Sequence, residues 1–101
     1  MVSFLHRVVV PSDVLVRILD REAVLLNLQT ERYFGLDETG TRMWQLLAEA
    51  PRIEHAYDLL LAEFEVEPEL LRANLSELID KLVENGLVQL VPADVGTIST
   101  V

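Results

Sequence analysis

The chain has no cysteine. That absence excludes disulfides, thiolate metal sites, iron–sulfur clusters and cysteine nucleophiles together, and it fits a reducing compartment. Lysine is almost as scarce. Lys81 is the one example, and 8 basic side chains stand against 17 acidic ones, for a formal net charge of −9. Nucleic-acid binders neutralise phosphates with clustered Lys and Arg, so this balance argues against DNA or RNA as a partner. Long hydrophobic runs are missing as well. Val8-Val9-Val10 is stopped at once by Pro11, which leaves neither the apolar core of a signal peptide nor the roughly 18 unbroken apolar residues of a membrane span. The expectation is a cytoplasmic protein with no membrane partner.

Residues that carry chemistry are also thinly spread. His6 and His55 stand alone, without the i,i+4 or short-loop partner of a zinc site, so no metal is expected. Glu63, Glu65, Glu67 and Glu69 are spaced by two through a helix–helix link, the pattern of a solvated edge rather than of an acid/base pair. Gly35 and Gly40 do not form a phosphate loop, because no glycine-rich motif leads into a helix with a lysine. Nothing marks Ser3, Ser12, Ser76 or Ser99 with the base and orienting acid that a nucleophile needs. The reading is of a protein that is not an enzyme and uses no cofactor.

What is present is half hydrophobic and 25% charged over 101 residues, which describes one small globular domain just able to bury a core. Its organising stretch is residues 22–44. An apolar run from Ala23 to Leu28 meets a polar break at Gln29-Thr30-Glu31, and Arg32 to Leu36 then leads into Asp37 and a helical pattern. Upstream, Val14 to Leu19 is rich in β-branched residues and reads as a strand, with Asp20-Arg21 as a tight turn lacking the usual glycine. Three strands follow from this: Val14 to Leu19, Ala23 to Leu28 and Arg32 to Leu36. Residues 1–12 read either as an extra edge strand or as an arm that docks on another subunit.

Three helices come next. Asp37 is a good N-cap for a first helix reaching about Ala48, with Met43, Trp44, Leu46 and Leu47 as its buried stripe. Gly40 inside it costs about 1 kcal/mol relative to Ala, and close approach to the sheet would explain it. A second helix spans about Ile53 to Phe64, with Ala56, Leu59, Leu60 and Phe64 inward. Pro68 opens a third at the position where its missing amide does no harm. Leu71, Leu75, Leu78, Ile79, Leu82 and Val83 follow its 3.6-residue period, and Asn85-Gly86 stops it. Leu87 to Val91 is extended. The order gives an α+β, winged-helix-like domain: a three-stranded antiparallel sheet followed by three helices. It occupies residues 13–91, with 1–12 as an N-terminal arm and 92–101 as a flexible C-terminal tail.

The last two helices have a helix-turn-helix shape, but the outward positions of the third are Glu69, Arg72, Glu77, Asp80, Lys81 and Glu84. Mostly acidic, they carry the wrong sign for lying beside phosphates. What remains is binding through backbone and an apolar groove. An edge strand offers unpaired amides and carbonyls to an incoming peptide. If the third helix packs obliquely beside the strand Arg32 to Leu36, its apolar stripe and Tyr33 or Phe34 line a groove. From pattern alone, Tyr33, Phe34, Leu71, Leu75 and Leu78 read more simply as core. Arg32, at the edge, does not.

Two blocks of sequence then become recognisable. Ala23-Val24-Leu25-Leu26-Asn27-Leu28, Arg32-Tyr33-Phe34-Gly35-Leu36-Asp37-Glu38-Thr39-Gly40 and Met43-Trp44-Gln45-Leu46-Leu47 form the first. Val66-Glu67-Pro68-Glu69 and Leu82-Val83-Glu84-Asn85-Gly86-Leu87-Val88 form the second. In order and spacing they resemble the PqqD family, over about residues 11–90. The resemblance implies a non-catalytic peptide chaperone. Such a protein binds the leader segment of a ribosomally made precursor peptide and delivers it to a modifying enzyme, such as a radical SAM enzyme or a leader peptidase. The leader adds as a strand to Arg32, Tyr33, Phe34, Gly35 and Leu36, and lies beside the helix face carrying Leu71, Asn74, Leu75 and Leu78. Asn74 stands where the family often has Asp. The strand also looks like the broad PqqD-like group, so a lasso-peptide or radical-enzyme pathway is at least as well indicated as that of pyrroloquinoline quinone. A monomer or a homodimer is compatible with the pattern. The rival reading is a winged-helix transcription regulator or a structural adaptor. The acidic balance predicts no salt-dependent mobility shift of duplex DNA, and observing one would favour the regulator.

Overall fold

The computed structural model describes residues 3–92. In chain order the elements are β1 (His6–Val9), β2 (Val14–Leu19), β3 (Glu22–Asn27), β4 (Arg32–Leu36), α1 (Glu38–Glu49), α2 (Ile53–Glu63), α3 (Pro68–Glu84) and β5 (Gln89–Pro92). The predicted three-stranded sheet is present, in the order β2-β3-β4 and antiparallel throughout. Two tight connections hold its register. Asp20 and Arg21 both take positive φ, 59° and 104°, between the paired residues Leu19 and Glu22. That is the turn whose twist suits a two-residue hairpin, reached here without glycine. At the next connection Glu31 also has positive φ, 62°, and its amide donates to the Asn27 carbonyl at 2.8 Å.

The sheet's inner face carries Ala23, Leu25 and Asn27 of β3 and Leu36 of β4, all buried. Helix α1 covers it with Met43, Trp44, Leu46 and Leu47, the predicted stripe. Asp37 caps α1 as expected, accepting from the Gly40 amide at 2.8 Å. A Cβ on Gly40 would lie 3.3 Å from both the Asp37 carboxylate and the Leu36 side chain, so the packing reason for that glycine is the end of β4.

Helix α2 departs from the expected phase. Ile53, Ala56, Tyr57 and Leu60 face inward, while Leu59 is 41% exposed. Tyr57 fixes that phase, because its hydroxyl donates to the Pro68 carbonyl at 3.1 Å while its ring packs edge-on against Phe4. Helix α3 buries Leu71, Leu75, Ile79 and Leu82. Val83, expected inward, is 42% exposed, and Leu78 is half-buried. The helix closes with Gly86 at φ 69°. Its amide donates to Val83 and that of Leu87 to Leu82, the paired bonds of a Schellman end.

The N-terminal segment was open between an edge strand and a swapped arm. In the structure β1 pairs antiparallel with β5 of the same chain, from His6↔Pro92 to Val9↔Gln89, as a second, two-stranded sheet. Phe4 and Val8 are buried. The Arg72 guanidinium, expected on the solvent side of α3, stacks 4.3 Å from the Phe4 ring centre and 4.6 Å from that of Tyr57. The stretch predicted as a C-terminal tail contributes Pro92 to β5. Residues 1–2 and 93–101 lie outside the described residues.

Two predictions concern this scaffold. Leu75 has no exposed surface, so Leu75→Ala should cost about 2–5 kcal/mol in chemical denaturation. The second is electrostatic. Arg42 grips Glu63 as a fork, Nε to Oε2 at 2.7 Å and Nη2 to Oε1 at 3.0 Å, tying α1 to α2. The hydrogen bond from Arg42 holds the Glu63 carboxyl below its ordinary value of 4.5. A depressed carboxylate contributes its stability above the unfolded-state value and loses it as pH falls through the folded one. Glu63→Gln should therefore melt below wild type at pH 7, with the gap closing in acid below about 4.5. An undiminished gap at pH 3 would show that the pair is not its source.

Candidate functional site

Strand β4 is an edge of its sheet, paired to β3 on one side only. Which of its backbone groups face outward follows from one side chain. The Thr41 hydroxyl accepts from the Ala23 amide at 2.9 Å and donates to the Leu36 carbonyl at 3.4 Å. Ala23 and Leu36 are register partners, so this hydroxyl sits between backbone groups that point at each other. Along a strand, the direction of N–H and C=O alternates with each residue. Leu36 and Phe34 therefore turn theirs toward β3, and Tyr33 and Gly35 present theirs on the open edge. Side chains alternate as well, between the two faces. Phe34 and Leu36 share the inner face with Leu25 and Ala23, while Tyr33 and Gly35 share the outer face with Leu26 and Val24.

Beside that edge, between β4, the start of α1 and the flank of α3, runs an open groove of about 480 Å³. Phe34, Leu36, Met43 and Leu78 give it an apolar floor, and Asp37, Asn74, Glu77 and Lys81 stand on its rim. The Asp37 carboxylate already accepts from the Gly40 amide, and Lys81 pairs with Glu77 at 3.7 Å. The rim therefore offers polar contacts without a strong charge of either sign. At Thr39, Met43 and Asn74 the groove adjoins a smaller hollow of about 220 Å³, lined by Phe64, Val66, Leu70 and Leu71. Among the described residues, no group of three or more His, Asp or Glu side chains could hold a metal ion, and no helix is long and apolar enough to cross a membrane.

The predicted site residues separate into four groups. Phe34, Gly35, Leu36, Asn74 and Leu78 line the groove together. Leu71 reaches only the adjoining hollow and is 3% exposed. Leu75 is wholly buried and offers no surface to a ligand. Tyr33, 77% exposed, lies on the opposite face of the sheet, and Arg32 is exposed at the far end of the strand. Sequence reasoning took Met43 for core alone and Glu77 and Lys81 for a solvated face, yet all three line the groove. A signal for them existed: Asn74, Glu77, Leu78 and Lys81 follow the i, i+3, i+4, i+7 spacing of one helix face.

An open strand edge beside an apolar groove has the form of a peptide-binding module. The chain belongs to the PqqD family: the family model described as coenzyme PQQ synthesis protein D matches residues 22–88. Two solved structures share the fold. One, "TbiB1 in Complex with the TbiA(beta) Leader Peptide", is 34% identical with a TM-score of 0.71, over 79% of this chain and 93% of that one. The other, "Lasso peptide synthetase B1 complexed with the leader peptide", is 25% identical with a TM-score of 0.71, over 82% and 98%. No curated protein matches the chain.

Proposed function

We propose that this protein is a recognition module for the leader segment of a ribosomally made precursor peptide. The leader adds as a strand to the free edge of β4 and sends alternate side chains into the groove beside α3. The observation that carries the reading is the juxtaposition of that free edge with the groove. Its support is a fold shared with two proteins solved with leader peptides on them. The module is non-catalytic, and the chemistry belongs to a modifying enzyme, such as a radical SAM enzyme or a leader peptidase, in a quinone, lasso-peptide or similar pathway.

Magnitudes indicate how the work divides. Tyr33 and Gly35 together offer about four backbone hydrogen bonds, each worth about 1 kcal/mol net. Association costs about 4–15 kcal/mol, so the ladder alone does not hold a peptide. Apolar side chains in the groove, at about 1.5–3 kcal/mol each when fully buried, supply the surplus. The ladder sets register, and the groove sets affinity.

The test is an amide NMR titration with a panel of synthetic leader peptides, the TbiA(beta) leader among them. Saturable shifts should concentrate on β4 and on the face of α3 carrying Asn74 and Leu78. Leu78→Asp, at a half-buried position, should keep the fold and weaken binding by about tenfold or more, the cost of losing one apolar anchor. Full affinity in a folded Leu78→Asp variant would remove the groove from the site. Shifts with duplex DNA and with no peptide would turn the reading toward a regulator.

A further inference from the structure

The three-stranded sheet has a second edge, along β2, and no strand among the described residues pairs with it. Exposed edges are commonly blunted by a charge, a proline, a bulge or a very short strand. Here β2 runs six residues in unbroken register with β3, holds neither proline nor glycine, and carries one charge, Arg17. Leu15 and Leu19 on its outer face and Val16 and Ile18 on its inner face are all exposed, from 37% at Val16 to 69% at Leu19. A strand apolar on both faces has the pattern of a sheet interior rather than of an edge.

The backbone shows how that edge can be filled. The Ala23 amide points toward β4, so along β3 the groups of Glu22, Val24 and Leu26 point to β2. The Leu28 amide, donating to the Asp13 carbonyl at 2.9 Å, continues that alternation. Their register partners Leu19, Arg17 and Leu15 therefore face β3, and Val14, Val16 and Ile18 turn their groups outward. The Val14 amide is used in its own turn, donating to the Pro11 carbonyl at 3.1 Å. Two copies of β2 laid antiparallel about a two-fold axis at Val16 then make about four backbone hydrogen bonds. Two join the Val16 residues, and each Ile18 amide donates to the Val14 carbonyl of the other copy. Leu15 faces Arg17 of the second copy, whose aliphatic stem covers it. Shifting the register one way sets Arg17 against its own counterpart, and like charges directly opposed destabilise a strand pair. Shifting it the other way sets Val16 against Val14, whose amide is already taken.

Charge favours the same contact. Residues 53–84, which hold α2 and α3, carry nine acids against two bases, whereas residues 13–36, which hold the sheet, carry four against three. Copies of an acidic chain repel through the first surface and meet without that penalty through the second. We propose that β2 pairs with β2 of a second copy of this chain, with Val16 on the two-fold axis, so that the two three-stranded sheets become one continuous antiparallel sheet. The contact uses the edge opposite β4, so each copy keeps its peptide-binding edge free, and the proposal stands independently of the leader-binding reading. One strand edge buries less than the roughly 1,200–2,000 Å² of a standard interface, so the pair assembles and separates with concentration.

The experiment is sedimentation equilibrium of the full chain up to about 1 mM, with NMR of a sample in which half the molecules are isotope-labelled. The expected result is a monomer–dimer equilibrium. As concentration rises, the Val16 and Ile18 amides should gain protection from hydrogen exchange, and an intermolecular α-proton contact should join Leu15 to Arg17. Val16→Lys sets two ammonium groups against each other and should raise the dimer dissociation constant by about tenfold or more. The chain has no cysteine, so Val16→Cys reads the register without asking the fold to accept a lysine. Its two Cα atoms would lie about 5.5 Å apart, within the roughly 4.4–6.8 Å that a disulfide spans, and mild oxidation should yield a covalent dimer. Leu19→Cys is more exposed but about 20 Å from its counterpart at roughly 3.4 Å per residue, and should crosslink far more slowly. A monomer at every concentration, with Val16→Cys crosslinking no faster than Leu19→Cys, would overturn the proposal. A dimer that Val16→Lys leaves intact would do the same, by placing the contact elsewhere. Peptide-induced shifts on β2 of a monomeric protein would give this edge to a peptide and equally sink the inference.

Discussion

The site depends on two buried polar side chains that close the β3–β4 hairpin at its two ends. At one end Thr41, 3% exposed, inserts its hydroxyl between the Ala23 amide and the Leu36 carbonyl. At the other, Asn27, 6% exposed, donates from Nδ2 to the Gly86 carbonyl and accepts with Oδ1 from the amides of Gln29 and Thr30. A buried polar group left unpaired costs about 1–3 kcal/mol, so each contact stabilises one geometry of the hairpin against others nearby. Thr41 fixes β4 to the start of α1, and Asn27 fixes the hairpin's turn to the end of α3. The strand and the helix that flank the groove are thus tied into one frame through hydrogen bonds that leave the outer edge of β4 untouched. Gly86 completes the frame. A Cβ there would lie 2.9 Å from the Asn27 amide nitrogen, and its left-handed φ turns the chain out of α3.

The groove itself arises from helix geometry. Successive residues turn by about 100°, so Leu71, Leu75, Ile79 and Leu82 point into the core while Leu78 looks sideways along the flank of α3. A broader apolar face on a helix packed squarely on the sheet would have buried Leu78, leaving the edge of β4 beside a flat wall. Phe34 is likewise only half-buried. The two are apolar groups held partly in water by the packing of everything behind them, and a ligand side chain entering between them removes that surface from solvent.

Much of this was legible because it is local. Strand and helix boundaries follow hydrophobic period, the Asp37 cap and the Asn85-Gly86 stop, each a property of adjacent residues. What the pattern could not give was non-local or a matter of phase. The pairing of β1 with β5 joins the two ends of the described chain, and no short-range signal encodes it. The interchange of Leu59 and Tyr57 turns on the Tyr57 hydroxyl reaching Pro68 in the next helix. Periodicity placed Leu71, Leu75 and Leu78 on one stripe, yet it does not say which of three leucines stands at the margin. Family resemblance carried the same blur, naming a helix face where the structure distinguishes wholly buried Leu75 from groove-lining Leu78. Thr41 and Asn27 carry no local signal, because their partners Ala23 and Gly86 lie 18 and 59 residues away along the chain.

The character of the site follows from what it withholds. In a chain of net charge −9, the groove holds one lysine already paired to a neighbouring glutamate and one aspartate already occupied in capping a helix. Within the groove, ion pairing therefore contributes little to choosing a partner. Main-chain bonds along β4 are indifferent to sequence, and apolar pockets discriminate by size and shape at about 1–3 kcal/mol per misfit methylene. A recogniser built from these parts is tolerant at most positions and strict at a few. Such strictness resides wherever the strand edge and the groove each admit one side chain. Backbone geometry, more than any charged group, decides what this surface accepts.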